Sequence, residues 1–518
     1  MQYGFVIDHR RCIGCHACTV ACKAENDVPV GDFRTWVKYV EKGTFPEVKR
    51  HFAVLRCNHC TNAPCVTICP VTALDKRKDG IVDIDRDVCI GCRACMQACP
   101  YDAIYLNEEK GAVEKCHFCA HRVEKGLEPA CVIVCPEQAI IPGDFHDPNS
   151  KVSKLVAEQT SLRRRPEQNT GPNVAYIGVE PLTLHPGAAS RPETYLWSER
   201  PAAKPERWPS TLPVVKNARV VLDAGHKVQW GSGVAAYLVT KGIAAGAALL
   251  APFAAAIGLT GFAADWLPEI VALLFTTITT ILLVEDLARP KLFLTLLTRG
   301  NRKSWLVKGA WILIAFSLTV SATLVLRFLA SRAAVDYGGY DLGFGGAGWA
   351  SDPWHAANYE AVIAVFRWIN AALALGVAGY TAFLFAQCEG RDLWQSKLLL
   401  PHLLVQAAAL GGATLLPFAH GHPTLRAIVC VALVAHLLFA FAERWMKHAT
   451  DNATQAAAFL DVVKLGGIPA YRVSLFVLLL VPMASIGPLA PIAATLVLGA
   501  LFLYEWAYIR AAQLPPLS

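Results

Sequence analysis

Cysteines three and four residues apart carry the densest chemical signal in this sequence. Sixteen of its eighteen cysteines fall between Cys12 and Cys135. They form four groups: Cys12, Cys15, Cys18 and Cys22; Cys57, Cys60, Cys65 and Cys69; Cys89, Cys92, Cys95 and Cys99; and Cys116, Cys119, Cys131 and Cys135. Pro70, Pro100 and Pro136 follow three of the groups, and Lys23 follows Cys22. Two thiolates two residues apart grip one metal centre from a single turn. A third at the same interval closes a loop around an iron–sulfur cubane, and the fourth ligand comes from elsewhere. Zinc also takes C-x2-C pairs, but it wants two pairs, whereas these runs supply three close ligands and a remote fourth. Disulfides are not expected, because no apolar export segment precedes Cys12 and cytosolic thiols stay reduced.

Where two cubanes share a chain, the last cysteine of each run ligates the other cluster. Applied to the nested order of these motifs, that rule predicts four 4Fe-4S clusters. Their ligands would be Cys12, Cys15 and Cys18 with Cys135; Cys116, Cys119 and Cys131 with Cys22; Cys57, Cys60 and Cys65 with Cys99; and Cys89, Cys92 and Cys95 with Cys69. The first and third groups repeat almost the same pattern, which points to an internal duplication.

The elements that must position these cysteines change character along the chain. Hydrophobic residues make up 54% of the 518 and charged ones 17%, but the first half is polar and punctuated while the second is dominated by Leu, Ala, Val and Phe. The expected fold is therefore an α+β ferredoxin-like iron–sulfur domain over 1–145, a linker or strap over 146–230, and an all-α membrane bundle over 231–518. The middle stretch is rich in Pro and Arg, as at Arg163 to Pro166 and Pro201 to Pro205, and does not read as a core of its own. The formal charge of +7 is dispersed over loops between apolar spans, so it reads as membrane-flanking charge and no nucleic-acid partner is expected.

Eight apolar spans follow, about Val234 to Ile257, Trp266 to Val284, Trp305 to Phe328, Tyr359 to Ala386, Leu398 to Phe418, Ala427 to Ala442, Val473 to Ile486 and Ile492 to Ile509. Most approach the roughly 20 residues that a spanning helix needs. The sixth and seventh are short, and Pro488 with Pro491 makes the last two a tight hairpin.

With these motifs in view, residues 1 to about 145 resemble the four-cluster ferredoxin subunits of molybdopterin oxidoreductases of the dimethyl sulfoxide and polysulfide reductase type, Cys116 to Arg122 and Pro129 to Cys131 included. The membrane half resembles the NrfD-like, polysulfide reductase-type quinol-binding anchors, through Gly242 to Gly246, Asp286 to Pro290, Tyr380 to Leu384 and Leu393 to Gln395. It departs from that pattern at Ala382 and Glu285. The two modules are commonly separate proteins, so the chain looks like a fusion. The resemblance implies an electron-transfer and quinone-binding subunit, with menaquinone or ubiquinone as bound substrate, no haem, and a separate molybdopterin-containing catalytic subunit as partner.

A quinone takes two electrons and two protons where clusters hand over single electrons, so ionisable groups are expected at the end of the bundle near the cysteines. Such groups are costly inside a membrane and default to functional hypotheses. Tyr237 and Lys241 lie in the first span, Asp286 and Arg289 at the end of the second, Tyr380 near the end of the fourth, and His402 near the start of the fifth. The resemblance makes Tyr237 and Tyr380 candidates to hydrogen-bond the quinone carbonyls, with Asp286 or His402 handling protons. The plain alternatives are aromatic-belt tyrosines, a snorkelling Lys241 and an Asp286–Arg289 ion pair. His402 and His436 are the two histidines within spans, and they read as lying at opposed depths, unlike a bis-histidine haem pair.

No Gly-rich dinucleotide fingerprint is present, so direct hydride transfer is not expected. Two other readings are a stand-alone ferredoxin:quinone oxidoreductase and a proton-coupling membrane module with Glu360, Arg367, His436 and Glu505 as relay. Twelve lysines and arginines fall in the loops on the cysteine side, from Arg289 to Arg510, against Arg332 and Arg426 opposite. That bias predicts a multi-pass protein of the bacterial inner membrane with the cluster domain on the cytoplasmic side.

Overall fold

The computed structural model describes residues 1–191, 215–225, 227–337, 353–484 and 489–518. Pro201 to Pro205, Pro488 and the expected span end at Ile486 lie outside them. Strand Tyr3–Asp8 sits at the centre of the first sheet, antiparallel to Ile140–Asp144 and parallel to Val174–Ile177, which in turn pairs with Ser161–Leu162. The two parallel strands are unbroken apolar runs because both sheet faces are covered. Phe5, Ile7, Val174 and Tyr176 face a core shared with Cys18, Phe118 and Cys131. Val6, Ala175 and Ile177 face Val152 of helix Lys151–Glu158.

A second sheet joins the hairpin Thr35–Thr44 and Glu47–Arg56 to strand Ala218–Leu222. The stretch expected as linker, 146–230, thus supplies strands to both sheets where it is described. A strand as short as Val174–Ile177 gives no periodic signal of its own, but the open edge of Tyr3–Asp8 accepts it.

The internal duplication is visible in the backbone. Gly14 and Gly91 have φ of 71° and 69°, and His16 and Arg93 share φ, ψ values of 61°, 4° and 60°, 4° before the helices Ala17–Asn26 and Ala94–Ala98. Each left-handed step bends the chain so that the cysteines on either side face one point.

Among the described residues six helices are long and apolar enough to cross a membrane: Ser232–Phe253, Leu267–Glu285, Trp305–Arg332, Asn358–Ala386, Pro423–Trp445 and Ala490–Gln513. Leu399–Leu415 and Ala470–Val481 are shorter apolar helices. The sixth helix is therefore not short; Arg426 and Glu443 bound the apolar run in the sequence, yet both lie within the helix. The short helices are the fifth and seventh. Trp311, Leu318, Val431, Leu438, Phe476 and Leu479 are exposed on the outer faces, as lipid contact requires. Helices one and five cross closely at Gly246 and Gly411, where a Cβ on Gly246 would stand 1.9 Å from the Ala407 carbonyl oxygen. Close backbone approach through small residues is how apolar helices pack without a hydrophobic drive between them.

Candidate functional site

The fold gathers cysteines from distant motifs. One small cavity is lined by Cys12, Cys15, Cys18 and Cys135. Another is lined by Cys89, Cys92, Cys95 and Cys69. Cys22 lies in the electrostatic field of Cys116, Cys131 and Cys119, and the Asn26 side-chain amide points at Cys22 Sγ (3.7 Å) and Cys119 Sγ (4.0 Å). Cys65 is coupled in the same way to Cys99, Cys57 and Cys60.

Among the described residues no three His, Cys, Asp or Glu side chains are set to hold a single metal ion. The sulfurs stand around spaces instead of meeting at a point. Burial first, and then neighbouring sulfurs, push the Cys22, Cys60 and Cys65 thiols up, Cys60 to about 12, so such crowded thiols alone would keep their protons. A polynuclear cationic core is the kind of group that would let four of them ionise together. The donor set fits 4Fe-4S groups.

The quartets have an order. Cys18 is coupled to Cys131, Cys57 to Cys116 and Cys95 to Cys65. The first quartet is at the surface, with Cys15 exposed and Cys12 and Cys135 half-buried. The last is clasped by the membrane half. Arg289 N–H donates to the Ile90 carbonyl oxygen at 3.2 Å, and Gly91 leaves room for Ala288, whose Cβ lies 2.5 Å from where a Gly91 Cβ would be. Asn301 donates from its side chain to the Cys69 carbonyl oxygen (3.0 Å), and Arg391 to Gln97 Oε1 (2.7 Å).

Behind that last quartet lies a cavity of about 380 Å³ between the two halves. Its wall is mostly apolar, and it includes Cys92, Trp230, Tyr237, Asp286 and Tyr380. Size and lining are those of a small-molecule site, apolar with a few polar groups that orient a ligand. Gly309 makes room for the Tyr380 ring, 2.4 Å from where its Cβ would be.

Three of the six predicted residues thus meet in one cavity, and three do not. Lys241 sits behind the wall, donating to Thr381 Oγ1 (2.5 Å) and the Ala378 carbonyl oxygen (3.2 Å) beneath the Tyr380 ring. It is buried, so it does not snorkel. Arg289 clasps the ferredoxin half, donating to the carbonyl oxygens of Lys110 (2.5 and 2.9 Å) and Arg86 (2.7 Å), so no Asp286–Arg289 pair forms. Asp286 instead meets Arg93 at 4.0 Å.

His402 belongs to a buried polar cluster deeper in the bundle. Its Nδ1–H donates to Glu443 Oε1 (3.1 Å), and its Nε2 pairs with His436 Nδ1 (2.7 Å). Tyr504 donates to Glu443 Oε2 (2.5 Å). His402 and His436 are therefore at matched depth, not opposed: the two helices run antiparallel, so a residue near the start of the fifth comes level with one in the second half of the sixth. Gln406 Nε2 stands 3.5 Å from His402 Nε2, and Glu505 lies in the field of His402. Glu360 and Arg367 are elsewhere: Glu360 pairs with Arg327 (2.6 Å) and Arg367 with Glu269 (2.7 Å). Sequence reasoning missed Glu443, although it stands seven residues after His436, two turns along one helix face. It also missed Trp230, whose Nε1–H donates to the Cys92 carbonyl oxygen (3.4 Å).

Residues 220–501, more than half of the chain, match the family described as Polysulphide reductase, NrfD. The chain belongs to the NrfD family. Ahead of that domain, residues 48–145 match a 4Fe-4S dicluster domain and residues 10–27 a 4Fe-4S binding domain. The ferredoxin half is 44% identical over 202 residues to a tetrathionate reductase subunit of Salmonella typhimurium, covering 38% of this chain and 80% of that protein. It is 37% identical over 227 residues to the arsenate respiratory reductase iron-sulfur subunit ArrB of a Shewanella species (34% and 96%). It is 43% identical over 167 residues to the thiosulfate reductase electron transfer subunit PhsB of Salmonella typhi (32% and 86%). This NrfD-family chain is thus an iron–sulfur electron-transfer module joined to a multi-pass membrane domain.

Proposed function

We propose that the chain carries four 4Fe-4S clusters on its sixteen N-terminal cysteines and passes electrons between a separate catalytic subunit and a quinone bound in the cavity beside Cys92. What supports this is that cavity: it has a cluster cysteine on one wall and Tyr237, Tyr380 and Asp286 on the others. Bound clusters would supply one-electron carriers. The protein groups do the rest. Apolar side chains such as Leu283 and Leu313 receive the ring and tail and exclude water. The hydroxyls of Tyr237 and Tyr380 donate to the two carbonyl oxygens, and Asp286 exchanges a proton at its carboxylate.

The relatives are reductase subunits by name, which favours a catalytic partner docked where the Cys12 quartet reaches the surface. The family resemblance makes that partner a molybdopterin protein. Of the twelve cysteine-side cations, Arg289, Arg391, Arg444 and Arg472 have hydrogen-bond or ion-pair partners in the protein. The remaining eight still outnumber Arg332 and Arg426, so the reading keeps the clusters cytoplasmic and all eight apolar helices in the membrane.

A second reading, proton coupling, is favoured by the buried His402, His436, Glu443 and Tyr504 cluster. It would carry protons to or from the cavity through Gln406, Glu505 and Lys241. Anaerobic purification of the tagged chain tests the main reading. It predicts about sixteen iron atoms per chain, as four cubanes require, with a large catalytic subunit co-eluting; iron near eight, or a chain that always elutes alone, contradicts it.

A further inference from the structure

The ferredoxin half buries two cations against its cysteines, Arg56 and Lys115. Arg56 is 0% exposed. Its Nη1 donates to Cys131 Sγ at 3.3 Å, its guanidinium lies 4.5 Å from the centre of the Phe5 ring, and its Nε and Nη2 have no partner among the described residues. Cys131 and Cys116 of the second quartet and Cys18 of the first lie within its field. Lys115 is 1% exposed. It donates to the carbonyl oxygens of Val82 and Cys116, and Cys57 of the third quartet lies within its field. Among the described residues neither makes an ion pair with Asp or Glu, whereas Arg34, equally buried, pairs with Glu114 at 2.9 Å.

A buried charge with no counter-charge is strongly unfavourable, and an arginine cannot shed its proton to escape. The one anionic group that these positions can face is thiolate bound in a cluster. A cubane on four thiolates is a net anion, and reduction adds one more negative charge.

We propose that Arg56 and Lys115 are redox-poising residues, cations set at the two junctions between the first three quartets, which favour the reduced state of the clusters on either side. Arg56 serves the quartets built on Cys12 and Cys116, and Lys115 those built on Cys116 and Cys57. Net charge and hydrogen bonds to sulfur are the levers that set cluster potentials. The quartet built on Cys89 is last in the order and farthest from Arg56. This inference rests on the four-cluster reading.

The test is a potentiometric titration of the full chain in detergent, following each cluster by electron paramagnetic resonance. In Arg56→Gln two of the four midpoints are expected to fall, each by at least a tenfold change in the reduction equilibrium, 59 mV for one electron. The Cys89 quartet should stay. Arg56→Lys keeps the charge and should shift less than tenfold. Lys115→Met should lower two midpoints, one shared with Arg56→Gln. Fully loaded variants with unmoved midpoints, or an equal fall in all four, would overturn the proposal. Should Arg56→Gln fail to load iron, Lys115→Met and Arg56→Lys decide: an unmoved Lys115→Met, or a tenfold shift in Arg56→Lys, overturns it. Fewer than four reducible centres in the unaltered chain would instead sink the four-cluster reading.

Discussion

Replacing Glu443 separates the structural work of the buried polar cluster from its chemical work. The carboxylate accepts from His402 Nδ1–H on one oxygen and from the Tyr504 hydroxyl on the other, and all three side chains are buried. In Glu443→Ala both donors lose their acceptor inside the bundle. An unsatisfied buried polar group costs about 1–3 kcal/mol, so the variant should be destabilised by about 2–6 kcal/mol, twice that range. Glu443→Gln keeps a group at both positions: its carbonyl accepts from one donor, and its amide donates to the other, since a tyrosine hydroxyl or a neutral imidazole also accepts. It should lose no more than about 1–2 kcal/mol, the worth of a charge-assisted over a neutral hydrogen bond. What glutamine cannot do is take up a proton at neutral pH. Denaturation in detergent gives the stabilities, and anaerobic turnover with a quinone analogue gives the function. A Glu443→Gln protein with unaltered stability should turn over at least tenfold more slowly if the cluster moves protons for the cavity. Unaltered stability with unaltered turnover refutes that reasoning and leaves the cluster a structural clasp.

Tyr380→Phe and Tyr237→Phe should each slow quinone turnover by at least tenfold while the iron content and the clusters' spectra stay unchanged, because each removes one hydroxyl from the cavity wall; full turnover in both would move the quinone elsewhere. His9 is half-buried and its Nε2 accepts from the Val54 N–H at 3.1 Å, and burial holds its pKa down to about 4 from an ordinary 6.5. Between those values the unfolded chain binds the extra proton, so stability contributed by neutral His9 is fully present above pH 6.5. It is lost as pH falls towards 4, by up to about 3 kcal/mol. Denaturation of the ferredoxin half across that window should show the loss in the unaltered chain and less of it in His9→Gln; a flat profile in the unaltered chain contradicts it. For orientation, Arg426→Cys should react with a membrane-impermeant maleimide added to intact cells and Arg302→Cys should not; the reverse pattern puts the clusters outside.

The iron–sulfur half was legible because its chemistry is local. C-x2-C-x2-C-x3-C spacing favours the left-handed turn at Gly14 and Gly91, and the cavities lined by Cys135 with Cys12 and by Cys69 with Cys89 bring together residues that the exchange rule pairs. Tyr237, Asp286 and Tyr380 were legible for a different reason: a polar side chain at one end of an apolar span faces either lipid headgroups or a partner, and here the partner is the cluster loop. His402 and Arg289 show the limit. Depth along a span says nothing of azimuth, and a rotation about the helix axis turned His402 towards Glu443 and Tyr504 instead of the cavity. Strands Val174–Ile177 and Ala218–Leu222 were hidden in a proline-rich stretch because a four- or five-residue strand added to an existing sheet owes its order to the edge that it joins, not to its own pattern. Arg56 and Lys115 left no signal at all, since nothing in a sequence says that a single cation in a strand is sealed between cysteines.

The most direct test of the central claim, that electrons leave the clusters through the cavity beside Cys92, is reoxidation of the dithionite-reduced chain by a quinone analogue under anaerobic conditions. The visible iron–sulfur absorbance should return rapidly in the unaltered chain. It should return at least tenfold more slowly in Ala310→Trp, which fills part of the cavity wall and leaves all sixteen cysteines in place. Equal rates in two proteins of equal iron content would contradict the claim.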